Sequence, residues 1–220
     1  CASLTSISGI ETWDVSKVAN LSGCFSGCRN LSLPDFSKWN ISSNLTNLNS
    51  CFKDCAGFKT FYGKNWDVSN VTDLSNCFKN CNQLTSIVID SWDVSNVTDL
   101  SYCFSCCKKL SSLDFSKWNI SSNLTNLSYC FDRCSSLASL DISNWDVSNV
   151  TDLGYCFNDC NQLTSLGVEN WNISNVTNLS YCFNDCSSLA SLDISNWDVS
   201  NVTDLNSCFY YCSSLTSLDL

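Results

Sequence analysis

Tryptophan recurs at Trp13, Trp39, Trp66, Trp92, Trp118, Trp145, Trp171 and Trp197, in steps of 26 or 27 residues. Both 27-residue steps have one cause, an extra serine after Trp39 and after Trp118, where W-N-I-S-S-N-L-T-N replaces W-D-V-S-N-V-T-D. A unit such as Leu137–Gln162 is too short to bury its own apolar face. Stacked copies bury a continuous core, so the period predicts a repeat array. The reading is a single solenoid over residues 1–220, of about eight 26–27-residue rungs, with no linker and no cap at either end. A longer period overlies the first: D-F-S-K-W-N-I-S-S-N-L-T-N-L begins at Asp35 and again at Asp114, which suggests a duplicated three-rung block.

Within a rung, apolar residues place the structure. Leu140 and Ile142 alternate with polar neighbours, the pattern of a short strand with one buried face. Equivalent strands predict one parallel sheet, rising about 4.8 Å per rung. Val147, Val150 and Leu153 follow as inward-pointing groups. In C-F-x-x-C-x-x-L, the i, i+4, i+7 spacing of Cys156, Cys160 and Leu163 predicts short helical turns on the other side. The eight tryptophans and the eight phenylalanines that follow the first cysteine of each pair are expected to form core ladders.

Composition narrows function. The chain has no histidine, which removes the commonest general base and imidazole metal ligand. A net charge of −10 argues against nucleic acid and against an anionic membrane surface. No apolar run approaches the roughly 18 residues of a spanning helix. No enzyme is expected, and no membrane insertion.

The F-x-x-C-x-x-L-x-x-L pattern, with S-N-W-D-V-S-N-V-T-D-L between copies, resembles the BspA-type leucine-rich repeats. It is similar also to the related repeats of surface lipoproteins, a family of unknown function. The resemblance spans essentially the whole chain. It implies a right-handed leucine-rich-repeat-like solenoid on cell-surface or secreted proteins, used in adhesion and matrix contact, with no catalytic residues. One departure stands out: cysteine occupies the place before phenylalanine where the lipoprotein-type repeat usually has methionine.

Eight rungs carry a C-x-x-x-C pair, and sixteen thiols in register read most simply as a disulfide framework in an oxidising compartment. The favoured scheme joins the second cysteine of one rung to the first of the next: Cys1–Cys24, Cys28–Cys51, Cys55–Cys77, Cys81–Cys103, Cys107–Cys130, Cys134–Cys156, Cys160–Cys182 and Cys186–Cys208. Pairing within a rung and a ladder of buried free thiols are the alternatives. Cys212 is left over in the favoured scheme, and Cys106 stands outside the frame as an unpaired or intermolecular thiol.

Asn44, Asn70, Asn96, Asn123, Asn149, Asn175 and Asn201 form an N-x-T column of candidate glycosylation sites. An asparagine ladder bonding backbone between rungs explains the same column. Aspartates also stack, after tryptophan (Asp67, Asp93, Asp146, Asp198) and before leucine (Asp73, Asp99, Asp152, Asp204). A solvated acidic face is the simpler reading; calcium is the one ion these columns leave open, and no cofactor is implied.

The leading expectation is an extracellular structural protein, a disulfide-laddered rod or fibre whose partners are head-to-tail copies of itself or adjoining repeats. The alternative is a cell-surface adhesin module that holds a protein or glycan on its sheet face.

Overall fold

The computed structural model of the chain describes every residue except Leu33, Asp35 and Leu220. Asp35, which opens the first copy of the duplicated block, and Leu220, at the end of the last strand pattern, thus lie outside the described residues. No helix among the described residues is long and apolar enough to cross a membrane.

The chain is a stack of rungs, and its most continuous seam is polar. Parallel bridges join Asn20, Asn47, Asp73, Asp99, Asn126, Asp152, Asn178 and Asp204 in succession. Each of these side chains also accepts the N–H two residues ahead, at 2.7–3.0 Å, from Ser22 at one end to Asn206 at the other. This is an Asx turn, which both Asn and Asp make and which explains why the two alternate freely here.

Inside the seam lies one core. The phenylalanine column Phe25 to Phe209 stacks ring on ring at 5.4–5.8 Å. Tryptophans stack beside it at 5.9–6.5 Å. Trp39, Trp92, Trp118, Trp171 and Trp197 each donate the indole N–H to a carbonyl of the preceding rung. Both expected core ladders are therefore present.

The strands are short and paired. β1 (Thr60–Tyr62), β2 (Ser86–Val88), β3 (Ser139–Asp141), β4 (Ser165–Gly167), β5 (Ser191–Asp193) and β6 (Ser217–Asp219) form three two-stranded parallel sheets, β1–β2, β3–β4 and β5–β6. The single sheet expected from the sequence is thus broken. In each pair the second strand is preceded by a threonine, Thr85, Thr164 or Thr216. Its amide and hydroxyl both hold the same carbonyl of the rung before, that of Lys59, Ala138 or Ala190. β4 and β5 lie side by side without pairing.

The expected helical turns are also corrected. The only described helix is a 3-10 turn at Ile10–Thr12. The C-F-x-x-C segments are instead runs of tight turns. In one rung, Cys51, Lys53 and Cys55 donate their N–H to Leu48, Ser50 and Phe52, three residues back. The alternating amides of Ser50, Phe52 and Asp54 reach the next rung, at Ser75, Cys77 and Lys79. Half of the amides are thus taken up between rungs, so no i→i−4 ladder forms. The reversal is made by left-handed residues directly before each cysteine, such as Ser50 and Asp54 at φ 54° and 60°. Gly23 and Gly27 fill these positions in the first rung, where a positive φ carries no steric cost.

Candidate functional site

Eight stacked rungs act as an alignment of the chain with itself. Columns that never change serve the stack, and the site must be sought where the rungs differ.

The N-x-T column belongs to the stack. All seven of its asparagines donate Nδ2 to a backbone carbonyl of the preceding rung, at 2.7–3.1 Å. The threonine of the motif does the same with its hydroxyl at Thr46, Thr98, Thr125, Thr177 and Thr203. Both residues that define the glycosylation motif therefore have structural work of their own, and a glycan on Nδ2 would replace one of its two hydrogens.

Exposed aspartates outside the seam are turn formers as well. The carboxylates of Asp14, Asp114, Asp141, Asp193 and Asp198 each accept the N–H of a serine two residues ahead. These serine hydrogen bonds hold all five below the ordinary carboxylate value of 3.8. A group depressed in the folded state stabilises the fold above its unfolded pKa and loses that contribution as pH falls through the folded value. Asp132, raised by burial, acts in the opposite direction. The melting temperature is therefore expected to stay level from about pH 5 to 8 and to drop below about pH 4; a flat profile down to about pH 2 would contradict the Asx-turn role. Among the described residues, no group of three or more His, Cys, Asp or Glu is placed to hold a metal ion.

All eighteen cysteines are free thiols in the structure. The rung-to-rung bridges Cys1–Cys24 through Cys186–Cys208 are not formed in it. Seven of the eight second-column thiols have another partner: Cys55, Cys81, Cys107, Cys134, Cys160, Cys186 and Cys212 donate S–H to the phenylalanine carbonyl of the rung before, at 3.0–3.2 Å. Burial pushes the inner thiols up, Cys55 and Cys208 to about 12. These thiols are core groups. Cys106 differs, being partly exposed and lying outside both columns.

The varying columns flank the first cysteine and phenylalanine. Directly before the first cysteine the rungs read Gly23, Ser50, Asn76, Tyr102, Tyr129, Tyr155, Tyr181 and Ser207. The four tyrosines are half-buried and stack at 4.4–4.6 Å with planes within 10°. Every one sits at φ 55–58°, a conformation that costs a bulky residue about 1–2 kcal/mol and that Gly or Asn adopts more readily. The backbone does not ask for tyrosine there. Lys79 caps the ladder, with Nζ 3.6 Å from the Tyr102 ring centroid.

Beside the ladder runs a polar seam. Ser105 and Asn158 both donate to the buried carboxylate of Asp132, and Asn184 donates to Asn158. The column before the second cysteine reads Cys106, Arg133, Asp159 and Asp185 over the same four rungs. Arg133 pairs with Asp159 at 3.3 Å. A depression of about 300 Å³ is lined by Lys79, Cys106, Arg133 and the tyrosines from Tyr102 to Tyr155, and one of about 360 Å³ by Lys108, Arg133, Asp159 and Asp185. The sequence reading named Cys106 alone of this strip. The signal that finds the rest is the change from rung to rung within otherwise fixed columns.

Among solved structures the chain is similar to a leucine-rich repeat protein from Eubacterium ventriosum, at 17% identity over 89% of this chain and 56% of that one, with a TM-score of 0.47. It is similar to a leucine rich cell surface protein from Faecalibacterium prausnitzii at 17% identity, over 99% and 67% of the two chains, with a TM-score of 0.44. For internalin C2 from Listeria monocytogenes the identity is 14%, over 84% and 74%, with a TM-score of 0.37. The chain thus spans little more than half of the Eubacterium protein. No curated protein matches it. The family model described as "Mycoplasma protein of unknown function, DUF285" matches residues 2–86, 46–139 and 125–219, nearly the entire length, and the chain belongs to this family.

Proposed function

We propose that the chain is a rigid structural segment of a cell-surface or secreted rod, extended at its ends by further rungs of the same kind, from its own chain or from another copy. The observation that carries this reading is the repetition of the same ladders through the stack. Aromatic, Asx, asparagine and thiol columns each tie a rung to its neighbour, and a stack whose units contact only their neighbours gains stiffness from every such tie. Placement at the cell surface is part of the proposal and rests on the resemblance of the rungs to BspA-type surface repeats. The ties on which the rod relies are noncovalent, with the thiols as core filler.

Negative-stain electron microscopy of native-source material tests the reading, with and without reductant. Rods or filaments longer than eight rungs, unchanged by reduction, are expected. Isolated short particles that bind one ligand tightly would overturn it. The solenoid also predicts that a tandem second copy of residues 35–113 inserts without a seam, because residue 114 opens the same D-F-S-K-W block as residue 35. The insertion should lengthen the molecule by about 14 Å, three rungs at strand spacing, at constant cross-section in small-angle X-ray scattering. Growth in all dimensions would contradict it.

A further inference from the structure

The tyrosine strip carries a charge pattern of its own. All eleven Lys and Arg residues precede residue 134, and the 87 residues from Cys134 onward hold ten of the 21 acids and no base. The change of sign falls within the tyrosine ladder. Lys108 and Arg133 lie in the rungs of Tyr102 and Tyr129; Asp159 and Asp185 lie in the rungs of Tyr155 and Tyr181. The rung of Tyr129 also carries the buried Asp132, held by Ser105 and Asn158, so the sign change belongs to the outward charges of the strip, Lys108 and Arg133 on one side of its midpoint and Asp159 and Asp185 on the other.

A surface of that kind is complementary to itself when turned end for end. In an isologous contact one patch meets its own copy, and residue i faces j while j faces i. A two-fold axis between the rungs of Tyr129 and Tyr155 sets Arg133 against the partner's Asp159. It sets Lys108 against the partner's Asp185, with the two tyrosine ladders between. Tyrosine and arginine are the residues enriched at such contacts, and a ladder already stacked loses little side-chain freedom on binding.

We infer that the tyrosine strip is an interaction surface for a second copy of this chain, pairing two solenoids antiparallel through the rungs of Tyr102 to Tyr181. This contact is lateral and goes beyond the rod reading, which concerns the ends of the stack. Four rungs give a strip roughly 20 Å long, in the range of small, transient interfaces. Opposite charges at its rim make association fast and salt-sensitive.

Sedimentation equilibrium of the full chain at about 200 µM, far above a Kd on the order of 10 µM for a contact of this size, should show a dimer. Raising salt from about 50 to about 500 mM should weaken it at least threefold. The decisive test is a charge swap. Lys108→Asp with Arg133→Asp turns the four matched charges all acidic; Asp159→Arg with Asp185→Arg turns them all basic. Each double variant alone should be monomeric, and an equimolar mixture should dimerise at least as tightly as the parent. Arg133 already occupies the left-handed conformation that Asp159 and Asp185 share, so arginine fits those positions. Tyr129→Ser with Tyr155→Ser, the residue that Ser50 and Ser207 supply in other rungs, should weaken the dimer at least fivefold with melting unchanged. A monomeric parent at this concentration, or a mixture that stays monomeric, overturns the inference. The block insertion tests the rod separately and does not depend on this result.

Discussion

Replacing Phe131 by alanine is expected to cost the fold about 3–5 kcal/mol, the range for a fully buried aromatic truncated in a core that cannot collapse around the gap. Phe131 has no exposed surface and lies between Phe104 and Phe157, with ring centroids 5.7 Å away on both sides and planes within 5°. Phe115 and Trp145 close in from the flank at 6.1 and 6.3 Å. The rungs above and below are held apart by their own hydrogen bonds, so neither ring can slide into the space. The loss is felt by both halves of the stack, because a solenoid is stabilised by its nearest-neighbour interfaces. The same change at Phe209, in the final rung and only partly buried, should cost less than half as much. Urea denaturation of the two variants beside the parent checks this. Equal losses would show that the column is not a cooperative ladder.

Much of this was legible in the sequence, for reasons visible in single residues. The tryptophan period fixed the array, and the apolar columns fixed the core, because a buried position repeated at each rung leaves no other place for Trp118 or Phe131. What stayed hidden shares its sequence pattern with something else. Cys51 and Cys55 are four apart whether the segment is one helical turn or two successive tight turns. Only the glycines at 23 and 27, and Asn and Asp in the same places elsewhere, distinguish the two. Asn149 and Thr151 spell a glycosylation motif because each separately holds a ladder position. The unbroken sheet did not form: three-residue strands pair in twos, and β4 and β5 lie side by side without pairing. The tyrosine strip lies on the turns before the first cysteine, where Tyr102, Tyr129, Tyr155 and Tyr181 share a column with Gly23, Ser50, Asn76 and Ser207, so no single repeat marks it.

Native-state alkylation should modify four cysteines of the eighteen, and this result separates the two readings of the cysteine columns. Cys1 and Cys24 are exposed and Cys106 and Cys212 partly so; the other fourteen are buried. The thiolate is the reactive form. In the interior burial disfavours it: Cys77, Cys103, Cys130 and Cys156 are all held well above the ordinary thiol value, first by desolvation and then in part by neighbouring thiols. Raising the pH within the stable range therefore opens none of them, and only unfolding does. In about 6 M guanidinium all eighteen should react without prior reduction, with intact mass rising by eighteen adducts. Native-source protein that gains fewer than eighteen adducts when unfolded, and recovers the rest after reduction, would restore the disulfide spine and move the stiffness of the rod from hydrogen-bonded ladders to covalent bonds. A second-column thiol that donates to a carbonyl of the rung before, as Cys160 does to Phe131 at 3.2 Å, ties two rungs together without a covalent bond.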